Sequence, residues 1–190
     1  MNLLIRFKHP AVILILISLC SCFSQSNKNE KQHYVWLANN SKFVLLPPEK
    51  IEKSMDMAQF ISASWQGSEF YLNAWVKADE NGMEISLFNE LGANMGNLSY
   101  KESALYFSSP VLPKSLQPEY IVADFQLCFY KTDALSEALE KCGLVLEIDK
   151  AVRRIQKGND IIIEIELKQD TVILKNNLRG YSYALGGDFS

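Results

Sequence analysis

Residues 70–88 carry the pattern that most narrows what this chain can become. Phe70, Leu72, Ala74 and Val76 alternate with Tyr71, Asn73, Trp75 and Lys77. A period of two belongs to a strand with one buried face. Asn81-Gly82 follows, and Met83, Ile85 and Leu87 then alternate with Glu84, Ser86 and Phe88. Asn-Gly between two alternating runs is a hairpin signal, because both residues accept the left-handed backbone of tight hairpin turns. Two registers, differing by two residues, leave the same side chains on the same face. One face is aliphatic; the other holds Tyr71, Trp75 and Phe88 among polar groups.

The alternation extends in both directions, so residues 57–109 read as a β-meander. Gly92 and Gly96 bound a turn, and Leu98 with Tyr100, then Leu105 with Phe107, mark two shorter strands. The middle of the chain changes period. Pro118-Glu119 opens a stretch with Ile121, Val122, Phe125, Cys128 and Phe129 at helical spacing. Proline in a first turn, with an acid beside it, suits a helix start. A strand over residues 121–130 stays open, since short apolar runs fit both periods. Thr132 or Asp133 then caps a second helix with Leu135, Ala138 and Leu139, stopped by Gly143.

The tail returns to strands: residues 144–148, 152–156, 161–167, 171–174 and 181–185. Gly158-Asn159-Asp160 forms a hairpin turn, and Ile161, Ile163 and Ile165 share a face opposite Glu164 and Glu166. Strands, a helical interruption and more strands predict a mainly β, α+β domain. A long antiparallel sheet must curl or be covered. The expected architecture is an incomplete, curved antiparallel β-barrel covered by short helices over its concave face.

The N-terminus says where such a domain would work. Arg6 and Lys8 precede an apolar run over residues 11–19, which ends in Leu19-Cys20-Ser21-Cys22. That is a secretory signal. The run is too short for a spanning helix, which needs about 20 apolar residues. It resembles a bacterial lipoprotein signal, with Leu19 three before and Ser21 directly before the acceptor Cys22. Residues 1–21 would be the signal, 22–32 the lipidated cysteine and a polar tether, and 33–190 one domain. Phe23 follows Cys22; in enteric-type lipoproteins Asp there means inner-membrane retention, so the outer membrane is expected, with the domain facing the periplasm. Residues 1–21 hold two of the 19 basic residues and none of the 22 acidic ones, so their removal takes the net charge from -3 to -5. No basic block exists, which argues against nucleic acid. For Cys128 and Cys142, a disulfide in an oxidising compartment and two free thiols are both open.

Several motifs coincide with the lipobox. They are Ser64-Trp65-Gln66-Gly67, Gly92 followed by Leu98-Ser99-Tyr100, and the run Pro118 to Leu127 (PEYIVADFQL). Arg153-Arg154-Ile155 and Asn177 with Gly180-Tyr181 complete the series. Together they resemble an uncharacterised family of proteobacterial lipoproteins encoded beside aryl-polyene, fatty-acid-type biosynthesis genes. That family in turn resembles the carrier and receptor of lipoprotein localisation, the LolA/LolB type. The resemblance implies a half-barrel whose apolar cavity receives acyl chains.

Enzymatic chemistry is not expected. His33 is the one histidine outside the signal, and no His/Cys spacing suits a metal. No cofactor motif stands out. Glu164 and Glu166 read as a solvated face with Arg154 across the hairpin. Asp124 lies in an apolar run and needs a partner if buried; Arg153 and Arg154 are candidates, either as a structural pair or as a polar anchor in a cavity. Trp65, Tyr71, Trp75, Phe88, Tyr100, Phe125 and Phe129 are core residues or the lining of a lipid-accepting cavity. The expected function is an outer-membrane-anchored lipoprotein that binds or transfers an acyl, polyene-type or lipoprotein ligand. The alternative is a structural or assembly lipoprotein holding an envelope or transporter partner. The acceptor assignment is testable: Cys22→Ser should abolish metabolic labelling with palmitate and release the protein from the membrane fraction.

Overall fold

The structure is a computed structural model that describes residues 32–65, 67–112 and 116–188. Strands β1 (Tyr34–Ala38) and β2 (Ser41–Val44) form a hairpin. A single 3-10 turn, Pro48–Lys50, leads to the first meander: β3 (Met55–Trp65), β4 (Ser68–Asp79), β5 (Gly82–Phe88), β6 (Asn94–Lys101) and β7 (Ala104–Ser108). Helices α1 (Pro118–Phe129) and α2 (Thr132–Glu140) follow. The second meander is β8 (Val145–Asp149), β9 (Val152–Lys157), β10 (Asp160–Leu167), β11 (Thr171–Asn176) and β12 (Tyr181–Gly186).

The two meanders form one ten-stranded antiparallel sheet, in the order β7-β6-β5-β4-β3-β12-β11-β10-β9-β8. The first meander grows outward to one edge, the helices carry the chain to the opposite edge, and the second meander grows back until β12 pairs with β3. The sheet is curved but not closed into a barrel, and β7 and β8 remain its edges.

The period-two reading of residues 70–88 holds from Ala74 onward, but Phe70 is exposed and Leu72 only half-buried, because β4 begins beyond the covered part of the sheet. Ala74, Val76 and Ala78 of β4 and Met83, Ile85 and Leu87 of β5 are buried, while Tyr71 and Trp75 are exposed. The hairpin turn differs by one residue. Asp79 pairs with Gly82, so Glu80-Asn81 is the loop. The Asp79 carboxylate accepts the Asn81 N–H at 2.8 Å, an Asx turn that needs no left-handed residue. Gly82 is required for space instead: a Cβ there would stand 2.5 Å from Lys101 Cγ. Ile161 also departs from expectation. The β9–β10 register shifts between Ile161 and Ile163, leaving Ile161 exposed while Ile163 and Ile165 are buried. A bulge adds one residue and reverses the facing of everything before it.

The helix reading of residues 121–130 is the correct one, and the helix does more than cover the sheet. Residues 122–128 of α1 are all buried. A helix enclosed on all sides is packed from more than one direction. α1 touches β7 and β11 on one side and β1 on the other; α2 packs on β8 and β2. The β1–β2 hairpin, whose strand character escaped the sequence reading, therefore covers the helices, and α1 fills the hollow expected to be a cavity. α2 ends as expected at Gly143, whose φ of 74° is left-handed. The Leu144 N–H returns to the Leu139 carbonyl at 3.0 Å, closing the last turn.

Gln126 joins these layers. Fully buried, its side-chain oxygen accepts the Leu46 N–H at 2.9 Å and its amide donates to the Leu46 carbonyl at 2.7 Å. It acts as a strand-like partner for a chain that has none there. Nearby, the Glu52 N–H bonds the Phe129 carbonyl and the Lys131 N–H bonds the Lys50 carbonyl, both at 2.9 Å. Replacing Gln126 with Leu keeps the volume but strands two backbone groups. The expected loss is about 2–4 kcal/mol, read from the urea midpoint at unchanged slope.

Candidate functional site: a groove at the end of the central helix

The β12 end of the helix layer holds a buried polar chain. Asp124, facing β12 from α1, is 6% exposed. Its Oδ2 accepts the Tyr181 hydroxyl at 2.7 Å. The Tyr181 oxygen accepts from Asn176 Nδ2 at 3.2 Å, and Asn176 Oδ1 accepts the Arg179 N–H at 2.9 Å. Asp124 Oδ1 is buried with no hydrogen-bond partner. Burial pushes the Asp124 carboxyl up to about 7, against the opposing pull of Tyr181's hydrogen bond and the Arg179 charge. Tyr181 is raised as well, by burial first and then by Asp124. Arg179 itself stacks on the Tyr120 ring at 4.1 Å and donates to the Trp36 carbonyl at 2.8 Å, pinning the start of α1 to β1.

The expected partners of Asp124 are engaged elsewhere. Arg154 pairs with Glu164 at 2.8 Å on the outer face, as the hairpin reading implied. Arg153 points inward from β9. Its Nη1 donates to the carbonyls of Leu127 and Cys128, both at 3.0 Å, and of Tyr130 at 3.3 Å. Its Nη2 reaches Thr132 Oγ1 at 3.5 Å. α1 has no basic residue in its last turn. Arg153 supplies that charge from another strand, where the helix dipole favours it.

Beside this capped end lies an open groove of about 450 Å³. Met55 and Met57 at the start of β3, Phe129, Leu167 and Val172 form its apolar wall, and Cys128 and Arg153 also line it. Glu52, Asp56 and Lys168 stand exposed along it. Its volume lies within the range of small-molecule sites, about 300–1,000 Å³. Methionine suits such a wall because its flexible thioether adapts to irregular ligands.

The seven aromatic residues singled out from sequence are not brought together. Tyr71 and Trp75 lie on the outer face of the sheet; Tyr71 stacks with Phe60 at 6.1 Å, and Trp75 Nε1 donates to Asp56 at 2.8 Å. Phe88 is half-buried on the same strand face as Glu84. Tyr100 is buried under the sheet, and Phe125 packs on Phe129 at 4.9 Å inside the helix layer. Trp65 ends β3, and nothing is described of its side chain. Of the seven, Phe129 lines the groove. The residues sequence reasoning missed are Met55 and Met57, which look like ordinary strand residues, and Gln126, whose polarity amid an apolar helix was a usable signal. Cys128 and Cys142 are free thiols; burial pushes the Cys128 thiol up, so it is not an activated nucleophile. Cys22 lies outside the described residues, as does the tether up to residue 31.

Fold and groove together define a large, curved, open antiparallel sheet filled by a helix, with an apolar groove at one end. The chain belongs to the family described as Protein of unknown function (DUF3261), whose model matches residues 56–185. That match takes in all but the first residue of β3, both helices and all but the last residue of β12, and leaves out the β1–β2 hairpin. None of the curated proteins compared with the chain matches it.

Asp124 makes stability depend on pH. The unfolded carboxyl titrates near 3.8 and the folded one near 7. Between those values the native state holds the extra proton, so stability falls as pH rises from about 4 through 7, and levels off above. Asp124→Asn should remove that slope in urea unfolding and raise stability at pH 8 by about 2–4 kcal/mol.

Proposed function

We propose that this protein is a non-enzymatic lipoprotein, anchored through Cys22 to the outer membrane, that receives the apolar part of a lipid-like ligand in the groove. The observation that carries the reading is the groove itself: an apolar wall of Met55, Met57, Phe129, Leu167 and Val172, open to the outside. Burial of an acyl chain there would drive uptake at about 0.8 kcal/mol per methylene. The curved open sheet around an enclosed helix is in keeping with the LolA/LolB resemblance, and the aryl-polyene gene neighbourhood of the similar lipoproteins would make a polyene or acyl chain the cargo. In this reading the ligand does not enter the hollow of the sheet, which α1 occupies.

A second reading has one observation in its favour. Phe60, Tyr71 and Trp75 are exposed on the outer face of the sheet, and aromatic residues on a rigid surface suit a protein partner. The protein would then serve as an assembly factor in the envelope.

Native mass spectrometry of the protein purified from its own envelope separates the two. The carrier reading expects a co-purifying acyl-type mass, reduced about tenfold or more by Met57→Asp and kept by Trp75→Asp. A bare protein mass after lipid challenge, with a co-purifying protein lost on Trp75→Asp, would transfer the assignment to the second reading.

A further inference from the structure

Arg153 is 8% exposed and lines the groove. Its hydrogen-bond partners are the three carbonyls at the end of α1 and the Thr132 hydroxyl, all neutral. Among the described residues no carboxylate lies within ion-pair distance of it. Among the described residues Nε has no hydrogen-bond partner, which leaves one side of the guanidinium unused by the helix end. Glu52, Asp56 and Asp188 are exposed along the groove, where water screens them, and Glu52 is the one of the three whose charge is felt at Arg153.

A guanidinium has five donors in a fixed planar fork, matched to carboxylate and phosphate oxygens. Here two edges of the fork are used to hold it in place, and its charge is offset by the helix end, equivalent to about half a charge, and by attraction from Glu52 at the rim of the groove. A buried cation is ordinarily matched by an anion. The apolar wall of methionine, leucine, valine and phenylalanine runs beside it. An ordered positive group next to an apolar track is the complement of one kind of molecule.

We propose that the groove selects single-chain amphiphiles with an anionic head, such as a fatty-acid carboxylate or an alkyl phosphate, and that Arg153 is the head-group partner. This rests on the groove being the ligand site. The tail lies along Met55, Met57 and Leu167, and the head meets the Nε side of the guanidinium. A neutral ester or alcohol of the same chain keeps the apolar contacts and loses the charge-assisted bond, which is among the stronger hydrogen bonds proteins make.

The test uses the full-length protein in phosphatidylcholine vesicles. Three photoactivatable probes with one sixteen-carbon-type chain are compared: the carboxylate, its methyl ester and the alkyl phosphate. Labelled peptides are mapped by mass spectrometry. The expected result is labelling of the segments around Met57, Phe129 and Leu167, about ten- to a hundredfold stronger for an anionic probe than for the ester. The ratio of carboxylate to phosphate labelling identifies which head is preferred. Equal labelling by anionic and ester probes in the groove would overturn the role of Arg153 while leaving the groove as the lipid site. Labelling by all three probes only outside the groove would overturn the groove reading as well. Because the comparison lies between probes, it does not depend on an Arg153 variant folding. Arg153→Lys, which keeps the charge, and Arg153→Gln, which removes it, then add a second readout: the anion preference should persist in the first and vanish in the second.

Discussion

Enclosing a helix on all sides removes water as a partner for every polar group it carries. Through residues 122–128, α1 has no solvent face. Its interior contains Asp124 and Gln126, and its C-terminal carbonyls end beside the core. Each unsatisfied group would cost about 1–3 kcal/mol, and together they could cancel the stability of an ordinary domain. The surrounding structure is arranged around these groups. Leu46 is held to Gln126 through both its backbone groups, Arg153 takes the helix end, and Tyr181 with Asn176 meets Asp124.

These contacts also explain the order of the chain. The sheet cannot close, because its concave side must admit α1, which touches both β7 and β11. The β1–β2 hairpin then seals the opposite side, held by Arg179 at one end of the helix, and the segment after it is tied to the other end by the Lys50–Lys131 and Glu52–Phe129 backbone pairs. Within α1 the imperfectly met group is Asp124 Oδ1; among the described residues Ser41 Oγ of β2 is the other buried side-chain atom without a hydrogen-bond partner. Asp124 is the place where burial and charge are least reconciled, so proton binding and stability are coupled there. At the far end of the helix the same problem is solved by a cation rather than by neutrality, and that solution places a positive group beside an apolar groove.

Much of the architecture was legible because it follows from local patterns. The period-two runs of β4 and β5 bury Ala74, Val76, Met83 and Ile85, and the Pro118 start and Gly143 stop bracket the helices. The exceptions have local causes as well. Asp79 selected an Asx turn over the Asn-Gly turn, and the bulge at Ile162 turned Ile161 outward. The candidate site was much less legible. Its apolar wall draws on β3, α1, β10 and β11, with Arg153 added from β9, and no spacing in the sequence links Met57 to Phe129 or to Val172.

The alternation that makes two meanders, the helical break between them and the separation of polar from apolar faces were all written into the order of residues, since each depends on neighbours a few residues apart. Tertiary structure alone decided that β12 pairs with β3, that α1 occupies the hollow, and that Arg153 serves the helix end while Asp124 meets Tyr181. Those outcomes depend on which distant groups are left without water once the sheet curves, and burial of that kind is a property of the assembled chain.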